Sequence, residues 1–432
     1  VNGVEQFVIQ GGRRLCGKVT ISGAKNAVLP MMAAAVLSPE QCTIKGVPRL
    51  RDVAVMREIL QGLGVEVAYH PDGTLEMWAR NLSTCKVRDE LSRQMRSSIF
   101  LMGPLLARVG KVKVAYPGGC AIGPRPIDLH LRGLEALGAR LRERHGYICG
   151  EAVRLRGQEI HLDFPSVGAT ENLMMAAVLA RGVTVIRNAA KEPEIVDLQN
   201  FLNAMGARIT GAGTDVVRIE GVRDLGGCQH QVIPDRIETG TMMVAAAITG
   251  GEVLIAGVIP EHLESVTAKL REAGVTISFP EPGQMLVRGP ERLLATDFKT
   301  LPYPGFPTDM QPQVMALMCL AEGTSVITET VFENRFKHAD ELRRMGAQIK
   351  VEGRTAVVKG VPTLFGARVE ATDLRSGAAL VLAGLAAEGV TVVEDTSHID
   401  RGYEHLEVKL AGLGARIERR PALQLAEADG VG

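Results

Sequence analysis

The sequence predicts an α/β fold: a two-domain inside-out α/β barrel of six repeated βαβαββ units, three per domain, with buried helices inside and sheets outside. Three observations carry this. A helix-ending phrase, Leu-x-x-(Leu/Met/Ala)-Gly-(Ala/Val), recurs six times with its glycine at Gly64, Gly138, Gly206, Gly274, Gly346 and Gly414. The intervals are 74, 68, 68, 72 and 68 residues, a regularity that generic α/β packing does not explain. An apolar helix, a glycine and a β-branched strand precede five of the copies, over 102–114, 172–186, 242–255, 314–327 and 378–393; the sixth, 31–44, has Ser38-Pro39-Glu40 at the turn. Finally, the two helices of a unit differ. The first, as over 173–180, is apolar nearly all round and belongs in an interior, whereas the second is amphipathic and covers the outside. Glycine suits the left-handed C-cap that closes each second helix.

Composition narrows the class. The 432 residues are 46% apolar and 23% charged, with 49 basic and 49 acidic side chains, which is the profile of a soluble globular protein. The balanced charge points away from a general nucleic-acid or membrane-surface binder but leaves room for a local basic pocket. Seven scattered cysteines with no Cys-x-x-Cys pair argue against a disulfide framework or a zinc site and for a reducing cytoplasm. The longest apolar runs, such as 99–107, are too short to span a bilayer, and no signal pattern opens the chain.

In chain order, 7–12 and 15–22 read as a hairpin turning at Gly11-Gly12. Gly23-Ala-Lys-Asn26 then leads into the first buried helix. Lys25 and Asn26 suit an anion at a helix N-terminus, although a lysine so placed is more often solvated. Residues 88–98 put Arg88, Arg93 and Arg96 ahead of an apolar helix, as phosphate contacts or as a solvated face.

Residues 116–130 have no helix or strand period, yet they hold Gly118-Gly119, Cys120, Arg125 between two prolines, and Asp128. Catalysis tends to sit in such loops, so Cys120 is a candidate reactive thiol, against the alternative of an incidental cysteine. Ser166, Gly168 and Thr170 open the third buried helix as ligand contacts or, more simply, as a cap.

The chain passes between the two groups of units near 232–240. There Asp235, Arg236 and Glu238 form either a hinge ion-pair set or ordinary surface charges. Asp309 stands one turn before another apolar helix, as an N-cap or a general base. Arg335, Arg375 and Arg401 follow at the ends of buried elements, so these groups are expected to converge on one inter-domain cleft. The domains are expected at 25–233, and at 1–24 with 234–432. The tail from 419 suggests no function.

Several of these motifs carry a resemblance. Residues 23–26, 117–123, 125–130, 188–197, 304–309, 332–335 and 401–403 together resemble the UDP-N-acetylglucosamine 1-carboxyvinyltransferase family, over about 7–417. The resemblance implies transfer of the enolpyruvyl group of phosphoenolpyruvate to the 3′-hydroxyl of the sugar nucleotide, the first committed step of peptidoglycan precursor synthesis. It implies Cys120 as the thiol that protonates the methylene carbon, forms a covalent adduct and reacts with fosfomycin, and Asp309 as the group that takes the hydroxyl proton.

On the same basis Lys25, Asn26, Arg125, Arg375 and Arg401 hold phosphoenolpyruvate, with Lys25 and Arg401 also catalytic. Arg96, Arg125, Pro126, Ile127, Asp128, Leu129, Asp309 and Val331 contact the sugar nucleotide, and Arg335 is a further charged cleft residue. Phe164 stands where some members have a lysine, so no charged contact is carried over there; Ser166 and Val167 are left open. No cofactor or metal is implied. The expected partners are the two small-molecule substrates, without nucleic acid or membrane insertion, in a monomer or weak oligomer.

The residue types fit that chemistry, which needs a proton donor at carbon, a base at the hydroxyl, and cations for a leaving group of about two negative charges. Nearby arginines favour the thiolate of Cys120 and acid catalysis needs the thiol, so both roles stay open. Two alternatives fit less well. A sister enzyme acting on shikimate 3-phosphate is disfavoured by the Gly-Gly-Cys loop. An idle, sugar-nucleotide-binding paralogue is disfavoured by Lys25, Cys120, Arg125, Asp309 and Arg401 occurring together.

Overall fold

Six glycines end six helices in the computed structural model, which describes residues 5–116 and 127–422. Gly64, Gly138, Gly206, Gly274, Gly346 and Gly414 all have φ between 92° and 101°. In every copy the N–H of the following residue donates to the leucine carbonyl five positions back, at 3.0–3.1 Å. That is a Schellman closure, and a side chain at these glycines would strain it.

The first helices of the units are Lys25–Ala34, Met102–Arg108, Val167–Ala177, Arg236–Ile248, Gln311–Met318 and Leu374–Ala386. Most of their residues are buried, and they pack on one another in two groups of three. Amphipathic helices such as Arg51–Gly62 and Pro193–Ala204 lie against them from outside. One continuous apolar core runs from Ala24 to Val232; a second joins Phe7 to Ile21 with Ile237 to Ile417.

Each unit contributes one outer sheet with a common strand order. In the third unit, Glu159–His161 pairs parallel with Val183–Arg187, which pairs antiparallel with Val216–Glu220, which in turn pairs with Arg208–Thr210. In the second unit the outermost strand shrinks to a single bridge, Lys86 to Lys113.

The expected N-terminal hairpin is not formed. Glu5–Gln10 instead inserts between Val390–Glu394 and Arg416–Pro421, completing the sixth sheet, while Cys16–Thr20 pairs parallel with Glu252–Ala256 in the fourth. Gly11, the first of the two glycines that signal a turn, serves another purpose. A Cβ at Gly11 would stand 2.0 Å from the carbonyl oxygen of Ala387, so the chain passes too close to that helix end for any side chain.

Cys228–Gln231 likewise returns to complete the first sheet, parallel to Gln41–Lys45. The chain therefore crosses between the two cores twice, and the crossings pair with each other. Ala24 N–H donates to Ile233 O at 2.8 Å, and Asp235 N–H donates to Ser22 O at 2.9 Å.

Candidate active site

The double crossing brings a helix N-terminus from each core to the same place. Asp235 Oδ1 accepts the N–H groups of Ile237 and Glu238 at 2.8 and 2.9 Å, capping Arg236–Ile248. Its Oδ2 accepts the N–H of Lys25 at 3.2 Å, at the start of Lys25–Ala34. One carboxylate thus fastens the positive ends of two buried helices together. These are not surface charges. Asp235 and Glu238 are buried, Arg236 pairs with Glu194 at 3.0 Å, and Glu238 pairs with Lys409.

In front of these helix ends opens a cleft of about 280 Å³. Lys25, Asn26, Arg96, Asp309, Val331, Arg335, Arg375 and Arg401 all line it, from both cores. Among the three arginines of 88–98, Arg96 is the one on the cleft wall; Arg88 and Arg93 are exposed elsewhere. Phe164 and Val167 also line the cleft, whereas Ser166 caps its helix by accepting the N–H of Ala169 at 3.3 Å.

Ile127, Asp128 and Leu129 start the next covering helix and are not part of the cleft lining. That helix is nevertheless close, since a Cβ on cleft-lining Gly168 would lie 3.2 Å from the His130 ring. Cys120, Arg125 and Pro126 lie outside the described residues.

The charged lining forms three clusters. In the first, Asp309 is no N-cap: its Oδ1 takes Arg335 at 3.0 Å and its Oδ2 takes Arg375 at 3.1 Å. Burial would raise its pKa, but Arg375, Arg335 and Arg236 together hold it far below the carboxylate range. Arg375 is held in turn, stacked 5.2 Å above the ring of Tyr403, whose hydroxyl meets Thr241 and Gln313. The wall beside it is pinned by buried Glu329, which accepts from Thr300, Thr308 and the N–H groups of Val331 and Phe332.

In the second cluster, Asp52 bridges Lys25 and Arg401. The third is an acidic wall of Glu171, Glu192 and Glu194, partnered by Arg236. Burial, and then the repulsion of Glu194 and Glu192, push the pKa of Glu171 well above the usual carboxylate range.

Sequence reasoning missed Asp52, Glu171 and Tyr303 as cleft residues. Asp52 reads as a helix-start acid, and Glu171 as one polar residue in an apolar helix. The motif at 188–197 contained Glu192 and Glu194 but suggested no role for them. The arrangement as a whole can hold a multiply charged anion between arginines and a lysine, beside a carboxylate able to accept a hydroxyl proton.

Comparison with known proteins identifies relatives along nearly the whole chain. The family model for EPSP synthase (3-phosphoshikimate 1-carboxyvinyltransferase) matches residues 9–410. A protein of Symbiobacterium thermophilum named UDP-N-acetylglucosamine 1-carboxyvinyltransferase 1 is 66% identical, over 96% of this chain and 95% of its own. A Carboxydothermus hydrogenoformans protein named UDP-N-acetylglucosamine 1-carboxyvinyltransferase 2 is 57% identical, over 96% and 99%. Among solved structures, the enolpyruvyl transferase NikO from Streptomyces tendae superposes with a TM-score of 0.87 at 27% identity, covering 97% of this chain and all of that one. An EPSP synthase from Acinetobacter baumannii superposes at 0.76 with 19% identity, over 96% and 100%, a likeness of fold.

Proposed function

Because this chain belongs to the UDP-N-acetylglucosamine 1-carboxyvinyltransferase family of enolpyruvyl transferases, we propose that the cleft joins phosphoenolpyruvate to the sugar nucleotide between its two walls. The protein transfers the enolpyruvyl group to UDP-N-acetylglucosamine in peptidoglycan precursor synthesis, with release of phosphate. The observation that carries the site assignment is the convergence of Lys25, Arg96, Asp309, Arg335, Arg375 and Arg401 on one cleft at two helix N-termini.

In the first step the sugar 3′-hydroxyl attacks C2 of phosphoenolpyruvate, Asp309 takes the hydroxyl proton, and C3 gains a proton from Cys120. In the second, C3 loses a proton and phosphate leaves from C2, restoring the double bond. Lys25, Arg125 and Arg401, with Asn26 beside them, balance the phosphate and carboxylate charge. Arg96, the 125–129 segment and Val331 hold the nucleotide sugar.

A carboxylate gripped by Arg335 and Arg375 is a poor base. Asp309 gains basicity when an anionic substrate draws those guanidinium groups toward itself. Cys120 acts as acid or as nucleophile through its adduct. Residues 25–233, and 1–24 with 234–432, act as two bodies that close on the substrates, in the cytoplasm. No helix among the described residues is long and apolar enough to cross a membrane.

The test is phosphate release from phosphoenolpyruvate with UDP-N-acetylglucosamine or with shikimate 3-phosphate as acceptor. Turnover with the sugar nucleotide alone is expected. Turnover with neither acceptor sinks the reading.

A further inference from the structure

Asp52 is a cleft acid to which the proposed reaction gives no part. It lies in the first turn of Arg51–Gly62 and is 3% exposed. Its carboxylate accepts Lys25 Nζ at 2.7 Å, Arg401 Nε at 2.9 Å and Arg401 Nη2 at 3.4 Å. Lys25 and Asp52 sit on helices of the first core, whereas Arg401 ends the turn Thr396–Arg401 of the second, so the bridge spans the cleft. Burial would raise the pKa of Asp52, but the charges of Lys25 and then Arg401 outweigh it and keep the group ionised.

Two features distinguish this bridge from an ordinary buried ion pair. Both of its cations are among the groups to which the proposed function gives the phosphoenolpyruvate charge. It also has a counterpart across the cleft, where Asp309 holds Arg335 and Arg375. The described lining as a whole carries six cationic side chains (Lys25, Arg96, Arg236, Arg335, Arg375, Arg401) and six acidic ones (Asp52, Glu171, Glu192, Glu194, Asp309, Asp373). An arriving anion therefore meets cations already held by internal carboxylates: Lys25 and Arg401 by Asp52, Arg335 and Arg375 by Asp309, and Arg236 by Glu194.

We propose that Asp52 is a positioning residue: it holds Lys25 and Arg401 at the spacing of a single anion across the cleft, and the incoming dianion exchanges with it for their charge. This rests on the proposed function. It adds an internal competitor that keeps the cations ordered before substrate arrives and that weakens the binding of free phosphate. Preorganised cations need no rearrangement when charge develops on the leaving group, and a carboxylate is a weaker hold on them than a phosphate dianion.

The experiment compares wild type with Asp52→Asn and Asp52→Glu. Calorimetric titration with inorganic phosphate reads the competition directly, and steady-state phosphate release reads the positioning. Asp52→Asn is expected to bind phosphate about tenfold more tightly, because one opposing charge is gone. Its kcat is expected to fall about 10- to 100-fold while KM for phosphoenolpyruvate does not rise, since the cations keep their charge but lose their placement.

Asp52→Glu retains the charge. It is expected to keep wild-type phosphate affinity and to recover part of kcat, which also covers the case in which Asp52→Asn folds poorly. A folded Asp52→Asn with unchanged or weaker phosphate binding overturns the proposal, as does a glutamate variant that binds phosphate more tightly than wild type. If wild type released no phosphate with either acceptor, the functional reading would fail, while the phosphate titrations would still decide the role of Asp52.

Discussion

Replacing Asp309 by asparagine separates its two jobs. The change keeps the shape and removes both the charge and the base. Loss of a positioned general base costs about 10²–10⁴ in kcat. The structural cost is separate, since Arg335 and Arg375 are 3% and 1% exposed and would lose their shared partner. Breaking a fully buried pair costs about 3–5 kcal/mol; with 28% of the Asp309 side chain still accessible, about 2–3 kcal/mol is expected.

A second substitution tells these apart. Arg375→Met keeps an apolar contact over Tyr403 and removes one unpaired charge, so Asp309→Asn/Arg375→Met should regain about 1–2 kcal/mol of the lost stability. Turnover should stay at or below the single-variant level. The assays are thermal melting and phosphate release at saturating concentrations of both substrates. A folded Asp309→Asn enzyme turning over within tenfold of wild type would refute the base assignment. A double variant less stable than the single would refute the charge argument.

Three further outcomes are expected. Gly206→Ala meets no atom within 4 Å and carries only the strain of φ near 101°, about 1–2 kcal/mol; Gly64→Ala adds contacts of 2.7 and 2.8 Å with Asn81 O and Ser83 N, so its melting midpoint should fall further, and equal losses would contradict this. Glu171 has a raised folded pKa and a buried Oε1 without a hydrogen-bond partner, so its contribution is fully present below the unfolded pKa and declines as pH rises above it. The stability gap between Glu171→Gln and wild type should accordingly widen between pH 4 and pH 7 by up to about 1.4 kcal/mol per pH unit, and parallel melting curves across that range would be inconsistent with the burial argument. Cys120→Asp supplies a proton donor without a soft nucleophile, so phosphate release should survive while fosfomycin inhibition is lost; loss of both would favour the nucleophilic role.

What could be read from the chain alone follows from which interactions are local. The Schellman glycines are local: the left-handed residue and the leucine five positions before its neighbour lie within one helical turn, so six copies were visible as a spacing. The all-round apolar character of the first helices was visible for the same reason, because burial on every side leaves no polar stripe.

The hairpin expectation failed where the decision was tertiary. Gly11-Gly12 is as good a turn in sequence as in any true hairpin, and only the closeness of Ala387 makes it a crossing between sheets. Asp309 illustrates the same divide at the site. Its place before a helix allowed a cap or a base, and the distinction lies in Arg335 and Arg375, 26 and 66 residues away. Asp52 lies 349 residues from Arg401.

Charge in this cleft is therefore a property of pairs that the sequence separates. A motif lists cations because they face substrate, while the carboxylates that hold them in place sit in helices whose local pattern looks ordinary. An exposed cation is ordered by the ligand it meets, but one that must be ordered beforehand needs an internal anion. In a cleft between two cores, that anion can come from the opposite wall, as Asp52 does for Arg401.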